Sequence, residues 1–482
     1  MPTLKHSFEN VYKNIDDIAL TQNSVAMINF YLNDAKSLCK WFGDEEIINL
    51  DTNFNLKGFP IDGIFYWEDK LIWIVICNKR VFKIDANRTI TELTGSNLNK
   101  NKVVYFALAK SDSTGLQYLY FCNNSVINYI EEYLTEVKTV SDTDAPTDVV
   151  RLFYVNGRIV AINKSMFLYW SDSSTFTSWT ATSSSGLSDQ SNIIAGCKGN
   201  SSDILCLSNR SCQIIRNVES DPPFQRDIAS FDTNGIIAPD TLQYFNNSWY
   251  WLSSKRQFLK YSGSGSQIIS SPINKYLQEF TTINDAKSFL MTVYGLDLYV
   301  TIFPTEKKVI CWNWKNINYF ELADWRNSDY DLWYGNCYEY SSYLNEHWIG
   351  SRKDCKIYKL NKNLYTHAGE TIRQLYNSGN LDYGTIGKKK NISKRTYKIK
   401  TGSIDSGDFT TEPKILVKSN IDNKGLENER TLELKRIGDT HMFIEETSSI
   451  NSEFITKQDE IVVSDNFPTI ICEIEDEFNV EP

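Results

Sequence analysis

The chain has 482 residues, of which 41% are apolar and 23% charged, a balance that excludes wholesale disorder. Aromatic residues are abundant (25 Phe, 27 Tyr and 12 Trp), whereas 23 Gly and 11 Pro are too few for a collagen-like or low-complexity chain. The formal net charge of −10 excludes a broadly basic face of the kind that binds nucleic acid.

Residues 1–48 are predicted to form an N-terminal arm without a secretory signal, because the first ten residues contain no apolar segment. Ser24–Lys40 is a candidate helix. Within it, Ala26–Leu32 also has the composition of a strand, and it is our candidate for the strand that closes a ring with the last repeat. The longest apolar run, Leu71–Cys77, is far shorter than the roughly 20 residues of a membrane-spanning helix, so no stable membrane insertion is expected.

Residues 49–365 repeat one pattern: a strand, a tight polar turn, a second strand, a short polar turn and a third strand. Clear copies are Ile64–Ile84, Leu152–Trp170 and Leu242–Tyr261. A period near 45 residues built from short antiparallel strands is typical of β-propeller blades. The middle strands begin 43 to 50 residues apart, at Leu71, Leu116, Ile159, Ile204, Trp249, Leu298 and Trp348.

The turn residues support hairpins. The pairs Asn156-Gly157 and Asn246-Asn247 tolerate the positive φ that two-residue hairpin turns require. We therefore predict an all-β fold with a seven-bladed β-propeller, whose wedges between blades are filled by the many aromatic side chains. The alternative is one large β-sandwich or two stacked sandwiches, which also place short strands at regular spacing. The best helix within the repeats is Pro272–Phe280.

Residues 366–482 are predicted to form a separate all-β domain resembling a β-sandwich, because the three-strand pattern and tryptophan both stop before it. Its predicted strands are Ile392–Lys400, Ile415–Lys418, Thr431–Ile437, Met442–Glu446, Glu460–Val463 and Thr469–Ile474.

No catalytic, cofactor-binding or metal-binding residue is predicted, and we do not expect an enzyme. The four histidines (His6, His347, His367 and His441) have no metal-binding spacing, and the chain has neither a nucleophile elbow nor a phosphate-binding glycine loop. Tyr169–Trp179 resembles the Asp-box turn of sialidase propellers, but Ser171 and Asp172 are adjacent and no glycine follows, so a structural hairpin is favoured. The ten cysteines are expected to be reduced and largely buried, since none forms Cys-x-x-Cys.

Two segments near the C-terminus carry dense charge of opposite sign. Gly387–Lys398 holds six cations and is interpreted either as a solvated turn or as a contact with phosphate or an acidic partner. The acidic segment is Cys472–Pro482, a candidate to contact that basic turn on a neighbouring copy. Because copies at −10 repel one another, we expect the 366–482 domain, which holds both segments, to make most contacts between copies, with its basic turn facing acidic surface on a neighbour. The candidate contact residues are Lys388, Lys389, Lys390, Lys394, Arg395, Glu473, Glu475, Asp476 and Glu477.

The order of several short segments resembles one family, the hub proteins of short bacteriophage tails, also called packaged-DNA-stabilisation or head-completion proteins. The resemblance rests on segment order over most of the chain, since each segment is short. The segments are Asn29–Leu32, Gly63–Ile84, Leu168–Asp172 followed by Trp179, Asn234–Ala238 leading into Trp249–Ser253, and Lys388–Lys398.

This resemblance implies a structural virion protein, assembled in the host bacterial cytoplasm, that forms a ring of identical copies, expected to number six, below the portal and its adaptor. Such a hub retains packaged double-stranded DNA, extends the DNA channel without sequence-specific binding, and docks a needle, fibre or spike. An acidic wall would let DNA slide along it. The alternative function is a glycan-binding or glycan-hydrolysing propeller that recognises a receptor. WD-repeat and kelch scaffolds are disfavoured because their paired Gly-His, Trp-Asp and Gly-Gly signatures are missing.

Overall fold

The computed structural model describes residues 2–9, 26–111, 114–218, 220–385, 387–401, 413–434, 442–446 and 453–481. Over these residues the fold is all-β, with propeller-like sheets. Within the same ranges, no helix is both long enough and apolar enough to cross a membrane.

Five sheets each consist of four consecutive antiparallel strands. In sheet 1 these are Ile61–Trp67, Ile72–Cys77, Arg80–Ile84 and Ile90–Leu93; in sheet 2, Tyr105–Lys110, Gln117–Cys122, Asn128–Glu131 and Val137–Thr139. In sheet 3 they are Arg151–Val155, Arg158–Ile162, Phe167–Asp172 and Thr175–Gly186; in sheet 4, Ala195–Lys198, Ile204–Leu207, Cys212–Asn217 and Phe224–Arg226; in sheet 5, Gln243–Phe245, Ser248–Leu252, Phe258–Tyr261 and Ser266–Ile268.

Two further sheets contain the same four-strand unit and then recruit other strands. The unit of sheet 6 comprises Lys287–Val293, Leu296–Phe303, Lys308–Asn313 and Asn318–Glu321. The unit of sheet 7 comprises Gly335–Ser341, Glu346–Ser351, Lys356–Asn361 and, from the N-terminal region, Gly43–Asn49; Thr366–His367 and Glu370–Thr371 extend it.

The predicted ring-closing strand is wrong in its position. Gly43–Asn49, rather than Ala26–Leu32, pairs with the last strand of the repeats. The predicted strand is broken at Asn29, whose φ is 55° and whose side-chain amide donates to the carbonyl oxygens of Ala323 (2.8 Å) and Arg373 (2.9 Å). Its two halves therefore enter different sheets.

The candidate helix Ser24–Lys40 is also wrong. Ala26–Ile28 joins sheet 6, while Phe30–Leu32 and Leu38–Lys40 join another sheet; the first two residues of the candidate lie outside the described residues. Pro272–Phe280 is confirmed as helical, with the 3₁₀ turn Ser271–Ile273 followed by the α-helix Asn274–Glu279. The other helical segments are Asp51–Phe54 (α) and the 3₁₀ turns Glu68–Lys70, Ile228–Ser230 and Pro239–Thr241.

Strands after residue 366 share sheets with the rest of the chain. Sheet 6 continues through Ala26–Ile28 into Gln374–Asn377, Lys457–Val463, Lys414–Ile421 and Leu426–Glu433. An eighth sheet contains Phe30–Leu32, Leu38–Lys40, Thr469–Val480, Lys390–Thr401 and Met442–Glu446, with Thr3–Lys5 paired to Thr469–Val480. The hairpin Ala323–Arg326 and Asp329–Leu332 completes the strands. Of the predicted strand Thr431–Ile437, residues 431–433 belong to the strand Leu426–Glu433, Leu434 follows that strand, and the last three residues lie outside the described residues.

The core lies between successive sheets. In the strand Ile72–Cys77, Trp73 and Val75 pack with residues of sheet 7, whereas Ile74 and Ile76 pack with residues of sheet 2. Alternate side chains point to opposite faces of a strand, so this strand is apolar throughout because both its faces are covered. Further clusters join sheets 2 and 3, 3 and 4, and 4 and 5, and a large one spans sheets 5 to 7 and the C-terminal strands.

The predicted repeat positions fall at comparable places. Each lies directly before the second strand of its sheet or within the first three residues of that strand. The turn pairs Asn156-Gly157 and Asn246-Asn247 adopt positive φ at both residues, as hairpin turns of this length require. All ten cysteines are unpaired, and seven are buried; Cys197, Cys337 and Cys472 are partly exposed.

Candidate functional site

A cavity of about 660 Å³ lies at the ends of sheets 1 to 7 where their first strands begin. Each of the seven sheets contributes a residue in its first strand or shortly before it. The cavity therefore occupies the centre of the group of sheets. These residues are Asp62, Tyr105, Arg151, Ile194, Asp240, Lys287 and Asn336.

Arg151 links three sheets across this cavity. Its guanidinium donates to the carbonyl oxygens of Pro239 (Nη2, 2.7 Å) and Leu242 (Nη1, 3.2 Å) and lies 4.2 Å from the centre of the Tyr105 ring. The Tyr105 hydroxyl in turn donates to Oδ1 of Asp240 at 2.7 Å. The cation is buried, and these contacts fix its position.

Lys287 and Asp62 form a second polar group in the lining. The Lys287 ammonium donates to Oδ1 of Asn336, whose amide donates to the Ile61 carbonyl at 2.7 Å. Asp62 is buried, and its Oδ2 has no hydrogen-bond partner among the described residues. Burial raises the pKa of Asp62 to about 7, with the charge of Lys287 acting in the opposite direction. Burial also lowers the pKa of Lys287.

The lining has an excess of positive charge, although the whole chain carries −10. Five of the lining residues are cationic and three carry carboxyl groups. The cations are Lys102, Arg151, Lys164, Lys287 and Arg352, and the carboxyl groups belong to Asp62, Asp240 and Asp285. The field inside the cavity therefore favours an anion.

The predicted contact residue Arg395 is placed inside the molecule, which corrects its assignment to an exposed turn. Lys390 and Arg395 lie in the strand Lys390–Thr401, which pairs with Thr469–Val480 and so brings Arg395 opposite Asp476. Arg395 Nε and Nη2 donate to Oδ1 and Oδ2 of Asp476 at 2.5 and 2.6 Å, and Nη2 lies 2.8 Å from Asp459. All of these side chains are buried.

More groups complete this buried ion cluster. His6 Nε2 lies 2.9 Å from Oδ2 of Asp476, and the Tyr383 hydroxyl donates to the same oxygen at 2.6 Å. Burial alone would raise the pKa of Asp476, but the charge and hydrogen bonds of Arg395, with those of His6, hold it well below its usual range. The cluster joins the N-terminal segment to the C-terminal strands. Arg395 and Asp476 therefore make their contacts within the chain and are not available to a neighbouring copy. The same holds for the buried Lys390, whose ammonium donates to the Ile455 carbonyl at 2.7 Å.

The other predicted contact residues lie on accessible surface. Lys388 and Lys389 are exposed, and Lys394, Glu473, Glu475 and Glu477 are partly exposed. Several already have partners within the chain. Lys389 pairs with Glu453 at 2.9 Å and Lys394 with Glu445 at 2.7 Å, while Glu473 pairs with Lys5. Several charges that were expected to form ion pairs with a neighbouring copy thus form ion pairs within one copy.

A polar group of Tyr334, Asp44 and His367 joins the repeats to residues 366–371. The Tyr334 hydroxyl donates to Asp44 at 2.8 Å, and His367 Nδ1 lies 2.9 Å from the same carboxylate. The rings of Tyr334 and His367 stack with centroids 3.9 Å apart. Burial lowers the pKa of His367, but its hydrogen bond to Asp44 and the charge of that carboxylate outweigh burial and raise it.

The Asp-box-like segment is a hairpin. Asp172 accepts hydrogen bonds from the hydroxyls of Ser178 (2.6 Å) and Thr180 (3.2 Å), and the hydroxyl oxygen of Ser171 accepts from the Ile159 amide at 2.9 Å. These bonds hold the turn together. Within the described ranges no group of three or more His, Cys, Asp or Glu side chains is placed to hold a metal ion; His441 lies outside those ranges.

Sequence reasoning missed the cavity, the buried ion cluster around Arg395 and the group formed by Tyr334, Asp44 and His367. The cavity residues are far apart in sequence and belong to no motif, but each stands near the start of a repeat. The repeat period could have pointed to them, since equivalent positions in a cyclic array converge at its centre.

Comparison with known proteins gives one family. The family model described as "Bacteriophage P22 Gp10, beta-propeller" matches residues 60–365. A search of curated proteins gives no match.

Solved structures with a similar fold share little sequence. The extracellular domain of the putative one component system BT4673 from B. thetaiotaomicron is 10% identical, with a TM-score of 0.46, and the match covers 93% of this chain and 62% of that one. The chain therefore spans less than two thirds of that domain. YCF48 bound to D1 peptide is 8% identical, with a TM-score of 0.43, over 69% of this chain and 97% of that one. The WD40 propeller of Doa1 is 10% identical, with a TM-score of 0.36, and the match covers 64% of this chain and 97% of that one.

Proposed function

The chain belongs to the Bacteriophage P22 Gp10 β-propeller family of phage stabilisation proteins, and we propose that it is a tail hub that completes the head and retains the packaged DNA. The family match over residues 60–365 is the observation that carries this proposal. In this function the protein is a structural component of the virion and carries out no chemical reaction.

We propose that sheets 1 to 7 are the seven blades of one propeller. Three observations support this: the four-strand unit recurs seven times, neighbouring sheets share core clusters, and the first sheet packs against the seventh. Gly43–Asn49 then supplies the closing strand of the last blade. In this proposal the strands after residue 366, with those of the N-terminal region, form a sandwich-like unit around a shared core that contains Tyr397, Ile415 and Ile471.

We also propose that several copies, six in the family pattern, assemble into a ring between the portal or its adaptor and a needle, fibre or spike. The central cavity is not the DNA path in this arrangement, because about 660 Å³ is the size of a small-molecule site. Duplex DNA would pass through the opening of the ring. A chain at −10 suits that position, since an acidic surface releases few counterions from DNA and binds it weakly.

Lys388 and Lys389 remain our candidates for contact with a neighbouring copy, together with the partly exposed Lys394 and the row Glu473, Glu475 and Glu477. These glutamates alternate along one strand with buried residues and so share one face of the eighth sheet. Contacts of this kind orient subunits more than they tighten them, so their effect falls as salt rises.

Sedimentation velocity of the purified protein, alone and with its portal or adaptor, tests this proposal. We expect the wild type to form a discrete ring-sized species. Replacing Lys388, Lys389 and Lys394 by Ser should weaken that species at low salt and leave the monomer folded. The matched control replaces Lys57, Lys79 and Lys110, which are exposed lysines of the repeats.

Equal assembly of both triple variants at low and high salt would exclude the charge contact but not the ring. A wild type that stays monomeric at all concentrations, alone and with its adaptor, would contradict the ring itself.

A further inference from the structure

The central cavity contains groups that a purely structural function does not use. Its lining combines five cations with two carboxyl oxygens for which the described part of the chain offers no hydrogen-bond partner. Oδ2 of Asp62 and Oδ1 of Asp285 are both buried atoms without a hydrogen-bond partner among the described residues. Buried polar atoms are normally hydrogen-bonded, and leaving one unpaired costs free energy.

We propose that this cavity binds a hydroxylated organic acid of the size of an acidic sugar. The positive excess of the lining attracts the acid group, and the unpaired carboxyl oxygens accept hydrogen bonds from the hydroxyl groups. A volume of about 660 Å³ lies within the range of small-molecule sites, about 300–1,000 Å³.

The need for an acid group and the need for hydroxyl groups each exclude a simpler ligand. An anion that only accepts hydrogen bonds, such as sulfate, would meet Lys287 and Arg352 but bring no donor to Oδ2 of Asp62 and Oδ1 of Asp285. A neutral sugar would satisfy the carboxyl oxygens but would bring no negative charge to the positive excess of the lining. A molecule with both a negative group and neighbouring hydroxyls satisfies both sets.

The groups that would hold the ligand are fixed before it arrives. Arg151 is held by two carbonyl oxygens and the Tyr105 ring, and Arg352 donates to the carbonyl oxygens of Trp333 (Nε, 2.8 Å) and Leu332 (Nη2, 3.0 Å). Asn336 orients Lys287. Such preorganisation lowers the entropic cost of binding. Lys102 and Lys164 are exposed lining residues and would contact the ligand nearer the opening.

The test uses the full-length protein and D-glucuronate as the probe, with D-glucose and sulfate for comparison, in calorimetric titrations at constant ionic strength. We expect one saturable site for glucuronate, with an affinity at least about tenfold above that for glucose or sulfate, since each lacks one set of charge-assisted or hydroxyl contacts. Because this comparison uses the unmodified protein, it does not depend on a variant folding.

Lys287→Gln should weaken glucuronate binding by about tenfold or more, the loss expected for one charge-assisted hydrogen bond. The control is Lys198→Gln. Lys198 is also partly buried and donates to a carbonyl oxygen, that of Tyr154 at 2.9 Å, but it lies at the end of its strand remote from the cavity. This variant should bind like the wild type.

Absence of saturable glucuronate binding would overturn the proposal. So would equal binding of glucuronate and sulfate, or unchanged glucuronate affinity in Lys287→Gln. The tail-hub function does not depend on any of these results.

Discussion

The indole rings of Trp73 and Trp348 stack face to face, with centroids 3.8 Å apart and planes inclined by 3°. Trp73 belongs to sheet 1 and Trp348 to sheet 7, so this contact joins the first and last sheets of the repeats. Both side chains are fully buried. In the proposed seven-bladed propeller, this stack is the contact between the first and the last blade.

We predict that the two tryptophans are energetically coupled. Replacing either by Leu should lower the free energy of unfolding by about 2–4 kcal/mol, because a large buried ring is lost. The double variant should lose about 0.5–1.5 kcal/mol less than the sum, since the aromatic contact is removed only once. The measurement is a double-mutant cycle by urea unfolding.

The control cycle pairs Trp73 with Trp251, which is buried in the cluster between sheets 4 and 5. Those two substitutions should be additive within about 0.5 kcal/mol. Additivity in the Trp73–Trp348 cycle as well would contradict a closing contact between sheets 1 and 7.

Arg395 should be essential for stability rather than for contact between copies. Arg395→Met leaves Asp476 and Asp459 as buried charges without their main partner, and breaking such a pair costs about 3–5 kcal/mol. Lys394→Gln, one residue away on the accessible face, should change stability by less than about 0.5 kcal/mol. Urea unfolding of both variants measures this; an Arg395→Met protein as stable as Lys394→Gln would refute the internal role.

The sequence predicted the repeats well because their signals are local. Turn pairs such as Asn156-Gly157 set the hairpins, and alternation or continuous apolarity along strands set burial. The fourth strand of sheet 7 could not be found in this way, since Gly43–Asn49 has no apolar pattern and pairs with residues more than 300 positions later.

The prediction that Arg395 and Asp476 lie on the surface was wrong for a related reason. The cationic segment is predicted to enter a strand, and it does, but alternation along that strand places Arg395 inward and Lys394 outward. Only the pairing with Thr469–Val480 reveals the inward partner Asp476. The density of charge in sequence predicts a charged surface; it does not predict which of the charges a second strand will bury.

His367 should make stability depend on pH. Its folded pKa is raised, so the stabilisation from its contact with Asp44 is fully present below the unfolded pKa and is lost as pH rises through the folded pKa. The destabilisation caused by His367→Gln should therefore be larger near about pH 5.5 than near about pH 8.5. Thermal unfolding across this range checks it, and a difference that does not change with pH would speak against the ion pair.

Replacing Asp62 should stabilise the protein at high pH, because burial disfavours the charged form of its carboxyl group. Its folded pKa of about 7 is above the unfolded value, so stability present at low pH is lost as pH rises through 7. The free energy of unfolding of Asp62→Asn, relative to that of the wild type, should therefore rise by about 2 kcal/mol between about pH 5.5 and about pH 8.5. Exposed Asp148→Asn, the control, should run parallel to the wild type. The measurement is urea unfolding across this pH range. If the free energies of unfolding of Asp62→Asn and the wild type changed with pH in the same way, the pKa of Asp62 would not be raised by burial.

The most direct test of the tail-hub function is an electron cryomicroscopy reconstruction of virions of the phage that encodes this chain. We expect several copies arranged around the tail axis directly below the portal or its adaptor, each with density for seven four-stranded units around the central cavity. Virions that lack this protein, or that carry it away from the tail axis, would contradict the tail-hub function.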